Sequence, residues 1–277
     1  MARCPRSSEQ DNAKMLIIKI GGGASINLAG IVDGLTEVRE PCILVHGANA
    51  LRDSLAEKLR SPKQVITSVS GYDSVFSDAT AIDMILMSYA GLRNKRIVEL
   101  CQQRGINAVG LTGIDGRLVQ GARNKGMRVR EGGKTLIKRD FSGKPKDVNV
   151  TLLRLLLDNG FVPVLTIPIC DEQGCAVNSE NDDIVTCLHT ALQADKIIQF
   201  IEAPGLLADP GDELSTFSHL TRGDVETQEQ QASGRMKRKL LAMKRLLDAG
   251  RASIVIADGR GESPLRDALQ GAGTQIE

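Results

Sequence analysis

Six short runs dense in β-branched and aliphatic residues recur along the chain: "MLIIKI" (15–20), "CILVH" (42–46), "NAVGLT" (107–112), "VPVLTIP" (162–168), "KIIQFI" (196–201) and "SIVIA" (253–257). They are near-continuously apolar rather than alternating. Each therefore reads as a strand covered on both faces, the condition of a parallel sheet with helices on either side. Amphipathic patterns fall between them, at 50–59, 81–103, 150–160 and 234–250. This alternation predicts an α/β fold, a three-layer helix–sheet–helix sandwich with a mainly parallel central sheet. One stretch breaks the pattern: "KGMRVREGGKTLIKR" (125–139) reads as an antiparallel β-hairpin turning at Gly132-Gly133. Open sheets of this kind bind ligands outside the carboxyl ends of their strands, so the unusual residues found there carry the functional argument.

Composition excludes several alternatives. Aromatic residues make up 3% of the 277 positions and Trp is absent, which removes the stacking platforms of single-strand nucleic-acid binders. A formal net charge of +1 provides no global attraction to nucleic acid or to an anionic membrane. The six cysteines form no C-x-x-C pair and the three histidines lie far apart, so buried thiols of a reducing cytoplasm are the better reading than a zinc site. Residues 1–14 lack an apolar core segment and read as a flexible tail, and no run reaches the ~18 apolar residues of a membrane span.

The first strand runs into three glycines, "IIKIGGG", with Lys19 two residues before Gly21. Bare backbone beside an ammonium suits a phosphate, and it also suits a plain tight turn. The second strand ends "LVHGANAL", delivering Gly47 to a helix start in the same way. No G-x-x-x-x-G-K-[ST] is present. Ile26 stands where a dinucleotide fingerprint needs Gly or Ala, and His46-Gly47 stands where it needs an acid. These absences disfavour a P-loop enzyme and an NAD-dependent oxidoreductase. "AVNSENDDIV" (176–185) packs more acids and amides than capping of one helix uses. In "GRMKRKLLAMKRLLDAG" the stripe Met236, Leu240, Met243 and Leu247 is flanked by Lys239. That lysine either meets an anion inside the protein or snorkels to water.

Taken in order, "IIKIGGG", "LVHGAN", "SGYDSVFSD", "GLRNKRIVEL", "AVGLTGIDG", "VNVTLLRLLLDNGFVPVL", "VNSENDD", "APGLLADP", "GRMKRK", "ADGR" and "GAGTQI" resemble the amino acid kinase family from about Leu16 to the C-terminus. Within it the chain is similar to the branches acting on acetylglutamate and on aminoadipate or glutamate attached to an amino-group carrier protein. The resemblance implies an ATP-dependent kinase that makes an acyl phosphate on a side-chain carboxylate, in lysine- or arginine-type biosynthesis. Lys19 and Lys239 would hold the phosphoryl group in flight, organised by Asp182, with Gly21, Gly22 and Gly47 donating backbone N–H groups to it. Ala48, Val75 and Asn178 would face the acceptor. Glu202, Gly205, Leu207, Asp209, Gly234 and Met236 would hold the nucleotide. Magnesium would arrive on the phosphates rather than in a protein cage.

Two departures stand out. Gly47-Ala48-Asn49 occupies the place of the family's glycine triplet, and Val75 that of the arginine that grips the acceptor's carboxylate. By the same resemblance, 15–184 would form an acceptor-binding lobe and 185–277 an ATP-binding lobe of a cytoplasmic homodimer. Residues 123–139 hold seven basic side chains against one acid, Glu131. They form either a solvated face or a dock for a small acidic carrier. A catalytically idle nucleotide- or amino-acid-binding regulator of the same fold is the competing reading.

Overall fold

A computed structural model of the protein describes residues 14–277 apart from 68, 70–72, 132–133, 210 and 232–233, and the side chains of 67, 73–75, 127, 131, 231, 234–236 and 238 also lie outside the description. The tail expected at 1–14 falls almost wholly outside it.

All six expected strands form, and all six join one eight-stranded sheet. Its order is His219–Leu220, Thr274–Ile276, Ser253–Asp258, Lys196–Ile201, Leu16–Ile20, Cys42–His46, Val162–Thr166 and Ala108–Thr112. Every pairing is parallel except that between Ser253–Asp258 and Thr274–Ile276. Two-sided burial explains the continuous apolar runs. Ile17, Ile43, Val45, Ile197 and Ile254 point into one core; Ile18, Leu44, Ile198 and Val255 point into the other. Each such side chain contributes about 1.5–3 kcal/mol when fully withdrawn from water. Helices Asn181–Leu192 and Gly234–Ala249 cover the first face, and helices Leu28–Leu35 and Pro264–Leu269 the second.

The helix expected over 81–103 runs from Ala79 to Gln102, with its middle, Leu86–Arg93, wound as a π-helix. Ile82, Ile85 and Tyr89 pack on the first face, whereas Ile97 and Cys101 pack on the second. The helix therefore changes sides of the sheet as it passes Arg93–Asn94.

The expected hairpin forms as Met127–Glu131 against Lys134–Lys138. Two further features carry no clear period in the sequence. One is a four-stranded sheet ordered Ala176–Val177, Ile169–Cys170, Val119–Arg123, Gly143–Val148. The other is a hairpin of Val65–Thr67 against Asp73–Val75.

Candidate active site

Alternation along a strand puts Lys19 on the same face as Ile17, the face covered by the helices that carry Asp182 and Lys239. The sheet thus sends one ammonium toward two helices. Lys19 Nζ meets Asp182 Oδ1 at 2.9 Å. The lysine side chain is 14% exposed and the aspartate 40%, so the pair sits at the lip of the core rather than inside it. Asp182 lies in the first turn of Asn181–Leu192, where the helix dipole favours a carboxylate. Lys239 is exposed by surface area, yet its ammonium is held below the usual lysine range, first by desolvation and then by the neighbouring Lys19 charge, with Asp182 opposing. Three residues read separately from the sequence thus share one electrostatic field.

The glycine turns bring backbone into contact with backbone. A Cβ on Gly22 would stand 2.6 Å from Asn49 N and 2.7 Å from Ala48 N, so no other residue fits there without moving the chain. Gly21 donates its N–H to Phe200 O and Gly47 donates to Ile20 O, each at 2.9 Å. Both N–H groups, expected as donors to a phosphoryl group, are thus bonded to neighbouring strand carbonyls in this structure. Glu202 accepts the Ser25 N–H at 2.7 Å, and its carboxyl group fills the space beside Gly23.

Further along the carboxyl edge lies a network that sequence reasoning missed. Asn94 is fully buried and donates to Val164 O at 2.9 Å, with its amide 3.1 Å from His46 Nε2. Burial drives the His46 pKa down to about 3, so the imidazole is neutral and structural. Tyr89 donates to Asn49 Oδ1, and burial pushes its phenol up to about 12.

On the acceptor side, Asn178 Nδ2 donates to the buried Ser77 Oγ at 3.0 Å. Both line a cavity of about 650 Å3 that also reaches Arg52, Asp53 and Lys63. Asp53 pairs with Arg52 at 2.8 Å and with Lys63 at 2.9 Å. Ala48 is buried at the head of the helix bearing Arg52. The Val75 backbone pairs with Val65 in the hairpin beside this cavity; its side chain lies outside the described residues.

The expected nucleotide loop is anchored rather than loose. Gly205 is buried against Thr274, whose hydroxyl accepts the Leu206 N–H at 2.8 Å, and Leu207 bridges to Thr216. Asp209 turns its carboxylate to Gly211 N at 2.9 Å. Gly234 opens the Lys239 helix, while the Met236 side chain lies outside the described residues. Among the described residues no group of three or more His, Cys, Asp or Glu side chains converges as a metal site, and no helix is long and apolar enough to cross a membrane.

The description of the amino acid kinase family matches residues 14–258. The chain belongs to the amino acid kinase family. A LysW-aminoadipate kinase of Thermus thermophilus is 37% identical over 95% of this chain and the whole of the relative. An acetylglutamate kinase of Methanopyrus kandleri is 30% identical over 95% of this chain and 100% of its own. Among solved structures, a carbamate kinase of Giardia superposes with a TM-score of 0.65 at 13% identity, covering 95% and 98% of the two chains, which bears on the fold alone. Membership together with kinase relatives spanning nearly the whole chain makes this amino acid kinase a phosphotransferase acting on a carboxyl group in amino-acid biosynthesis.

Proposed function

We propose that the protein transfers the terminal phosphoryl group of ATP to the side-chain carboxylate of a glutamate or aminoadipate derivative, N-acylated or carried on a small protein. The observation that carries this reading is the Lys19–Asp182 pair at 2.9 Å with Lys239 in its field, set at the glycine-bearing ends of two strands. An ionised carboxylate oxygen attacks phosphorus, the bond to the bridging oxygen breaks, and ADP leaves; no proton moves. The site therefore needs position and positive charge rather than a base. Lys19 and Lys239 neutralise charge on the oxygens in flight, and Asp182 fixes Lys19. Magnesium bound to the nucleotide's phosphates would add charge neutralisation there.

Residues 15–184 serve the acceptor and 185–277 serve ATP in this reading. Asn178 and the cavity beside it seat the acceptor's amino-acid portion, with Arg52 and Lys63 as the cations within reach of its carboxylate. The nucleotide lies along Glu202, Gly205, Leu207 and Asp209 toward the Gly234–Met236 turn. The basic hairpin receives the carrier, and the enzyme works as a homodimer in the cytoplasm. The relative named for LysW-aminoadipate at 37% identity supports the carrier-linked acceptor over the free one.

The test is ATP turnover with a panel of free, N-acetylated and carrier-linked acceptors in hydroxylamine, which traps acyl phosphates as hydroxamates. Hydroxamate formed from at least one glutamate or aminoadipate derivative is expected. Nucleotide binding with neither ADP release nor hydroxamate from any of them overturns the reading in favour of a regulatory module. ADP release without hydroxamate overturns it in favour of transfer to an acceptor other than a carboxylate.

A further inference from the structure

Arg93 is the last residue of the π-helical segment, a form that concentrates at functional sites. It lies in the buried phase of its helix, four residues after Tyr89 and four before Ile97, both buried. Its Nη2 donates weakly to Gly21 O at 3.4 Å, and its Nε is buried with no hydrogen-bond partner. Among the described residues it makes no ion pair. Arg93 is half-buried, and partial withdrawal of a guanidinium from water is unfavourable unless an anion meets it. Desolvation accordingly holds Arg93 below the usual arginine range, with the Glu202 carboxylate opposing from beyond ion-pair distance. Arg93 also bears on the buried His46 at the end of the second strand. The hydrogen bond to Gly21 O places the guanidinium at the carboxyl edge of the sheet, at the first glycine turn. That turn directly follows the strand whose Lys19 pairs with Asp182, so Arg93 stands at the end of the same strand.

We infer that Arg93 is a third phosphate-binding cation of this kinase, its guanidinium tethered to the Gly21 carbonyl and paired, when nucleotide is bound, with an oxygen of the terminal phosphoryl group. This rests on the kinase reading above. The nucleotide is favoured over the acceptor as the source of the oxyanion because Arg93 touches the glycine turn and senses Glu202, which stands in the nucleotide loop. Arg93 is not among the residues lining the cavity beside Asn178.

The experiment measures binding of ADP and of a non-hydrolysable ATP analogue to the full chain by calorimetry, for wild type and for Arg93→Met, Arg93→Gln and Arg93→Lys. The glutamine variant keeps a donor for the Gly21 carbonyl without the charge, and it stands in should the methionine variant not fold. Loss of a charge-assisted contact to the terminal phosphate should weaken the ATP analogue on the order of tenfold to a hundredfold in the neutral variants, with ADP little affected and most of the loss restored by lysine. A purely structural arginine would weaken both nucleotides alike and would lower Tm in proportion. That outcome overturns the inference. So does an unchanged ratio of the two affinities with a raised acceptor KM, which would assign Arg93 to the acceptor carboxylate. A wild-type chain that binds neither nucleotide overturns the kinase reading itself, and this inference with it.

Discussion

In the function proposed above, the phosphoryl-transferring and acceptor-binding halves of the cleft are built from different materials. The phosphoryl end hangs on the ends of central strands: Leu16–Ile20 is hydrogen-bonded to neighbours along its whole length on both sides, and its glycine turn is locked by Gly47 N–H to Ile20 O. The acceptor end is built from the segment 60–64 beside a hairpin of two three-residue strands, from Asn178, and from charged side chains of the helix Asn49–Lys58. Moving Lys19 means moving the core; altering the cavity wall at Arg52, Asp53 and Lys63 changes side chains that reach water. A fold arranged this way can keep one chemistry while its acceptor changes, because positional precision of the transferring groups is supplied by the sheet and recognition by segments with few buried contacts.

The strongest way to break this comparison is to remove a cation from the rigid end. Lys239→Ala should lower kcat on the order of 10²–10³, the usual cost of losing one preorganised donor to developing charge. Its fold should survive, because Lys239 is exposed and the stripe beside it, Leu240, Met243 and Leu247, is untouched. Steady-state kinetics beside a thermal melt decide it; turnover close to wild type would separate Lys239 from the phosphoryl group.

Much of the rigid end was legible in the sequence, for a physical reason. Strands buried on both faces leave continuous apolar runs, and a lysine inside one, or a lysine on the flank of a helical stripe, is an anomaly that periodicity exposes. The same rule could have found Arg93, which sits at the spacing of Tyr89 and Ile97 in the buried phase of its helix. It went unseen because the π-helical stretch Leu86–Arg93 blurs a 3.6-residue count. The soft end was less legible. Asp73–Val75 and Val65–Thr67 are strands of three residues, too short to show a period, and the four-stranded side sheet has two strands of two residues and a third, Gly143–Val148, dominated by charged residues. For the donor roles expected of Gly21 and Gly47, sequence cannot show which carbonyl already holds each N–H.

A change at the soft end tests whether recognition is as replaceable as this argument holds. Val75→Arg adds a guanidinium on the hairpin that borders the cavity, where the family resemblance sets a carboxylate-gripping arginine. The expected gain in kcat/KM for acetylglutamate is on the order of tenfold, the low end of a charge-assisted contact, with the ATP KM unchanged. A folded variant with no gain would leave the carboxylate to Arg52 and Lys63. Arg52→Gln would then raise the acceptor KM.

The smallest effect on the chemistry should come from the outermost part of the soft end, the basic hairpin. Arg128 and Arg130 are exposed on one face of Met127–Glu131, opposite Ile137 and Thr135, while Val129 turns inward and is 4% exposed. Cross-strand alternation therefore keeps the two arginines off the core. Arg128 also accepts the Val69 N–H through its carbonyl at 2.9 Å, which ties the hairpin to the segment beside the cavity. Reversing Arg128 and Arg130 to Glu should slow association with an acidic carrier-linked substrate about tenfold at low ionic strength, and less as salt screens the charges. Turnover of a small free acceptor should stay within a factor of about two, because both arginines are exposed and neither lines the cavity. Equal losses on both substrates would mean that the hairpin supports the cavity wall itself. No loss on either would leave the arginines as a solvated face and move carrier recognition elsewhere on the soft half of the cleft.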